Sequence, residues 1–239
     1  MALFRWLIWP LLLAPAAWWA WHALHAPPQA LTLDNGARLE WTECGFDKPL
    51  WRPMHCGRLH TSPDEGATPE SFVLPVILIP GWAWQRDATP VQYIAGGPGG
   101  AAWLEPDEID FWLAWVDATG WSGDLVLYDQ RGVGLSEPAL DCPELRVLRR
   151  ELLPLPLPSE EAYLRVREVT RACHDRLRDE GVDLSRFTTQ HNAADAIDLM
   201  RAMGHERWDV YGVSYGTRVA LEMMRQAPEV LRAAVLDSP

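Results

Sequence analysis

One pentapeptide constrains this 239-residue chain more than any other feature. Gly212-Val213-Ser214-Tyr215-Gly216 matches G-x-S-x-G. It sits inside WDVYGVSYGTRVALEMM, residues 208–224, where a short apolar run that reads as a strand passes directly into a helical pattern. A chain that turns from strand to helix within one residue must hold that residue in a strained backbone conformation. Side chains at the two flanking positions would collide across such a turn, so Gly212 and Gly216 are the residues the geometry requires. Ser214 is then presented away from the sheet at the start of a helix, where negative charge is favoured. The pentapeptide alone is a weak pattern. The strand before it and the helix after it make it specific, and Ser214 is the candidate nucleophile.

A second glycine-rich turn follows another apolar run. In Ala95-Gly96-Gly97-Pro98-Gly99-Gly100, Pro98 has no N–H to offer. Gly97 is therefore the candidate donor to a developing oxyanion, with the N–H of Tyr215 as the second. A phosphate-binding loop is the competing reading. It fits poorly, because neither the Lys-Ser/Thr of a P-loop nor G-x-G-x-x-G is present. A third turn, Asp129-Gln130-Arg131-Gly132-Val133-Gly134-Leu135-Ser136, holds Asp129 and Arg131. These are read as structural, a charged pair pinning the turn beneath the oxyanion loop.

Around these turns the chain alternates between short apolar runs and helical patterns. Strands are expected at Arg38–Cys44, Gly57–His60, Ser71–Ile79, Val91–Ala95, Asp124–Tyr128, Trp208–Val213 and Val230–Leu236. Pro75 hints that its strand lies at a sheet edge. Helices are expected at Ala102–Ala118, Glu160–Glu180, Asn192–Met203 (capped by Asn192) and Tyr215–Gln226. Gly81–Pro90 reads as a loop. The proline-rich segment 137–158 reads as irregular or as a short excursion. Alternation from residue 91 onward predicts an α/β fold, a mostly parallel sheet with helices on both faces.

The first 26 residues carry Arg5 and then a Leu-, Ala- and Trp-rich run from Trp6 to Ala23. This reads as a signal peptide or signal anchor, so export is expected, and any membrane contact runs through that segment. Residues 27–37 read as a linker, with a turn at Asp34-Asn35-Gly36. Residues 38–239 form the N-terminal part of one domain. The four cysteines suit export. The pairing that closes short loops, Cys44–Cys56 with Cys142–Cys173, is expected over the other connectivities open to them. No pair has CxxC spacing and no histidine cluster sits beside one, so no metal is implied. A net charge of −12 repels phosphate backbones and argues against a nucleic-acid partner.

Taken together, YIAGGPGG, LYDQRGVGLSEP, YGVSYGTRVA and VLDSP, in that order and spacing, resemble the proline iminopeptidase and tripeptidyl aminopeptidase family of α/β-hydrolases. The similarity runs from about Cys44 to Pro239 and includes the CPEL stretch at Cys142 and FTTQHNAADAIDLMRAMG. It implies an α/β-hydrolase fold with Ser214 as nucleophile and Gly97 and Tyr215 as oxyanion donors. It also implies release of residues or short peptides from free peptide N-termini, with no cofactor. One departure is Ala95, where many relatives carry histidine.

In this fold the triad acid and histidine follow the serine. All seven histidines here precede Ser214. His60, His191 and His205 read as surface or capping residues, and Asp237 as a turn residue of LDSP. The expectation is therefore the N-terminal portion of a longer enzyme, cut after the strand that follows the nucleophile helix. A split enzyme and an inactive relative are the other accounts. A small-molecule esterase on the same scaffold, or a binding protein that kept the fold, are the alternative functions.

Overall fold

The computed structural model describes residues 26–48, 52–64, 66–67, 69–81, 89–156 and 159–239. The leader expected at residues 1–26 lies almost wholly outside these, as do residues 82–88 of the expected 81–90 loop. Among the described residues no helix is long and apolar enough to cross a membrane.

In chain order the elements are β1 (Arg38–Thr42), β2 (His55–His60), β3 (Val73–Ile79), β4 (Val91–Ile94), α1 (Ile109–Thr119), β5 (Leu125–Tyr128), α2 (Pro143–Leu152), α3 (Ser159–Asp179), α4 (Thr189–Ala202), β6 (Trp208–Val213), α5 (Tyr215–Gln226) and β7 (Leu231–Asp237). The strands form one sheet in the order β1-β2-β3-β5-β4-β6-β7. β5, β4, β6 and β7 run parallel, and β1, β2 and β3 extend them by antiparallel pairing.

Both faces of the sheet are buried at its central strands, β3, β4 and β5, because these are apolar at successive positions. In β3, Leu74, Val76 and Leu78 face one core cluster while Ile77 and Ile79 face the other. In β5, Val126 and Tyr128 divide from Leu125 and Leu127 in the same way. α1 covers the second face with Ile109, Trp112, Leu113 and Val116. α4 and α5 cover the first. Trp208, with none of its surface exposed, donates to Gln92 Oε1 at 3.1 Å, and Gln92 Nε2 donates to the Ala196 carbonyl at 2.9 Å. That satisfied polar chain ties β6, β4 and α4 together in the core.

Several sequence expectations shift. Pro75 does not mark an edge, since β3 lies between β2 and β5. The Pro75 carbonyl accepts from Asp129 N just past the end of β5, so the missing N–H faces a position with no strand left to pair. Segment 137–158 is not irregular throughout. Pro143 opens α2 at its first turn, where a missing N–H costs nothing. The helix expected from Ala102 starts only at Ile109, because Trp103 is held at φ 58°. α4 begins before Asn192 and is capped by Thr188, whose side chain accepts from His191 N. Residues 27–37 lie against the body: Leu31 N donates to the Ala202 carbonyl at 2.8 Å, and Asn35 Nδ2 to Asp198 Oδ2 at 2.9 Å.

Both expected disulfides form. Cys44–Cys56 staples β2 to the segment after β1, and Cys142–Cys173 joins the α2–α3 hairpin. Their sequence separations are 12 and 31 residues. Chain-entropy restriction of the unfolded state then predicts a loss of about 3 kcal/mol for Cys44→Ser/Cys56→Ser and about 4 kcal/mol for Cys142→Ser/Cys173→Ser. Urea unfolding of the two double variants checks the order.

Candidate active site

The chain runs from β4 through α1 to β5 on one side of β4. It returns through α4 to β6 on the other side. This reversal of strand order makes the carboxyl ends of β4 and β6 the switch point, the usual ligand position in open α/β sheets. Ile94 pairs with Gly212 across those ends. The glycine-rich turn after β4 and Ser214 after β6 therefore emerge side by side, with the Asp129 turn after β5 next to them.

Ser214 has φ 51° and ψ −116°, a conformation that L-residues adopt only under constraint. The constraint is visible on both sides of it. Its N–H donates to the Asp237 carbonyl at 2.8 Å, and its carbonyl accepts from Thr217 N at 3.0 Å and Thr217 Oγ1 at 2.6 Å. The flanking glycines are sterically required. A Cβ on Gly212 would lie 2.5 Å from the Gly216 carbonyl oxygen, and one on Gly216 would run into the Ile94 carbonyl. The Ser214 side chain is exposed and stands at the N-terminus of α5.

The glycine turn approaches this serine closely. A Cβ on Gly96 would fall 3.0 Å from Ser214 Cβ. Gly97, at φ 117°, precedes a cis peptide to Pro98. The Gly96 carbonyl accepts from Gly100 N at 3.1 Å, inside the turn. In a trans peptide the N–H points opposite to the carbonyl, so the Gly97 N–H faces away from the turn interior. Tyr215 is the first residue of α5, and its hydroxyl contacts Thr189 Oγ1 at 3.0 Å and Asn192 Nδ2 at 3.3 Å.

Asp129 and Arg131 are both buried, but they do not pair with each other. Asp129 Oδ1 accepts from Ala102 N at 2.7 Å and Oδ2 from Leu135 N at 2.9 Å. Burial pushes its pKa up, and the two N–H donors pull against that. Arg131 instead grips Asp195 of α4 through Nε and Nη2, each at 2.7 Å, and donates from Nη1 to the Arg186 carbonyl. Its guanidinium lies 4.4 Å from the centre of the Phe72 ring. Gln130, between them, was not singled out from the sequence. Its Nε2 donates to the Ala95 carbonyl at 2.9 Å.

Among the described residues no histidine hydrogen-bonds Ser214. His60 faces Glu40 at 3.5 Å, and His191 Nδ1 lies 2.8 Å from Thr188 Oγ1 at the α4 cap. Burial lowers the pKa of His191 and of His205. The Asp237 carboxylate accepts from Tyr211 Oη at 2.9 Å and from Ser238 Oγ at 2.8 Å.

This elbow, the glycine turn beside it and the two-faced sheet define an α/β-hydrolase scaffold. The chain matches the family model for the alpha/beta hydrolase fold over residues 90–239, and it belongs to that family. Among curated proteins it is similar to tripeptidyl aminopeptidase of Streptomyces coelicolor, 30% identical over 211 residues that make up 84% of this chain and 38% of that protein. It is also similar to serine protease Hip1 of Mycobacterium tuberculosis, 28% identical over 210 residues, 84% of this chain and 39% of that one. The chain thus spans about two fifths of the length of these relatives. Among solved structures, a proline iminopeptidase-related protein of Thermus thermophilus matches 75% of this chain and 43% of its own, at 22% identity and a TM-score of 0.41.

Proposed function

We propose that this chain carries the nucleophile portion of a serine aminopeptidase. Ser214 attacks the scissile carbonyl of a peptide bound by its free N-terminus. The N–H groups of Gly97 and Tyr215 receive the oxyanion that develops. The observation that carries the reading is the strained Ser214 elbow set against the Gly96–Gly97 turn. The similarity to tripeptidyl aminopeptidase supports the substrate class. No histidine follows Ser214 in this sequence and none among the described residues hydrogen-bonds the serine, so the reading names no general base among the described residues. The protein matures in an oxidising compartment, a reading supported by the pairing of all four cysteines.

Native-length protein assayed with a tripeptidyl anilide, its N-acetylated counterpart and a short acyl ester tests this. The free anilide is expected to be cleaved faster than the acetylated one by about tenfold or more, the factor that ~1.4 kcal/mol of lost ammonium binding produces. Turnover of the ester with no anilide cleavage would move the reading to an esterase.

A further inference from the structure

Three consecutive residues after β5 bond to segments that flank the proposed oxyanion site. Asp129 holds Ala102, two residues past the end of the glycine turn. Arg131 holds Asp195 of α4, and α4 in turn touches the Tyr215 hydroxyl through Thr189 and Asn192. Gln130 holds the Ala95 carbonyl, immediately before Gly96-Gly97. Asp129 and Arg131 have evident structural duties, since each satisfies buried partners at both ends. Gln130 differs. It is 3% exposed, its side chain donates to the Ala95 carbonyl, and its Oε1 has no partner among the described residues. An apolar side chain of similar size would avoid that orphaned acceptor, which costs about 1–3 kcal/mol when buried. An amide retained at such a cost points to a duty other than packing.

That duty follows from the local geometry. The Ala95–Gly96 peptide leads directly into the Gly96–Gly97 peptide, whose N–H is the proposed oxyanion donor. The first peptide plane turns about ψ of Ala95 and φ of Gly96, and Gly96 has no side chain to restrict its dihedral, so that plane gains freedom unless its carbonyl is held. Gln130 Nε2 holds it, and Gly100 N holds the next carbonyl. We propose that Gln130 is a positioning residue that fixes the Ala95–Gly96 peptide plane and thereby aims the Gly97 N–H at the oxyanion. The proposal rests on Ser214 being the nucleophile. It assigns Gln130 to the transition state rather than to substrate binding, since the oxyanion forms only during the reaction.

The test uses native-length protein, with active sites counted by a fluorophosphonate. Gln130→Leu keeps the volume and removes the donor. Its kcat per labelled site is expected to fall about 10–100-fold, the scale of a misplaced catalytic group. Its KM should stay within about twofold, the pattern of an interaction made only in the transition state. Gln130→Glu supplies a pH readout that a packing role would not move. Its protonated carboxyl still donates to the Ala95 carbonyl and its ionised form does not, and burial raises the pH at which that change occurs. The ratio of its kcat to that of the wild type should therefore fall as pH rises. Should Gln130→Leu fail to fold, this isosteric variant decides alone. A Gln130→Leu kcat within about twofold of wild type, or a pH-independent ratio for Gln130→Glu, overturns the positioning role while leaving the serine in place. Wild-type protein that never reacts with the fluorophosphonate overturns both.

Discussion

Ser214→Ala is expected to lower kcat by about 10⁶-fold in the native-length protein, the loss that removing a triad nucleophile produces. The residual rate would come from the oxyanion donors and substrate binding alone. The fold should survive, because the Ser214 backbone bonds to Asp237 and Thr217 do not involve its side chain. Ser214→Gly separates catalysis from stability. At φ 51° and ψ −116° a residue with a Cβ stores roughly 1–3 kcal/mol, which glycine releases. Glycine's greater freedom in the unfolded chain offsets about 0.5–1 kcal/mol of that gain. Ser214→Gly should therefore be more stable than Ser214→Ala by about 1 kcal/mol and equally inactive. Urea unfolding gives the difference directly. A glycine variant less stable than the alanine one would mean that the elbow is not strained.

Asp195→Ala should be the most destabilising single change near the site. It strands the Arg131 guanidinium, which is 6% exposed, with no carboxylate to face. Breaking a buried pair from one side costs about 3–5 kcal/mol, a large share of the ~5–15 kcal/mol that holds a typical domain together. Asp195→Asn keeps one acceptor for the guanidinium and should lose less. Phosphonate labelling of Ser214 should also slow in Asp195→Ala, because α4 contacts the Tyr215 hydroxyl through Thr189 and Asn192. A loss under about 1 kcal/mol would place the pair in the class of exposed ion pairs and contradict its buried geometry.

The strained turn at Ser214 was legible because its requirement is local. Two glycines, a strand before and a helix after all lie within a few residues of Ser214, so one window of sequence holds the whole argument. The cysteine pairing was legible for a similar reason, since short loops cost least to close. Arg131 shows where this ends. Its charge and turn context pointed to Asp129, its near neighbour in sequence, whereas the observed partner is Asp195, brought to it by the packing of α4. Gln130 carried no signal at all, because its bond to Ala95 exists only once β5 pairs beside β4. Proline was the least reliable guide. Pro143 starts a helix, where the N–H has no intrahelical partner, and Pro75 sits in an interior strand at the point where the β3–β5 ladder ends. The α1 start was misplaced because Trp103 takes a positive φ, a conformation a helical periodicity cannot reveal.

The most direct test of the account is the intact mass of native-length protein after incubation with a fluorophosphonate, followed by peptide mapping of the adduct. The expected result is a single adduct on Ser214 that is lost in Ser214→Ala. A protein that stays unmodified, or one that is modified at another residue while Ser214 stays free, would contradict Ser214 as the nucleophile and leave the scaffold without the chemistry assigned to it.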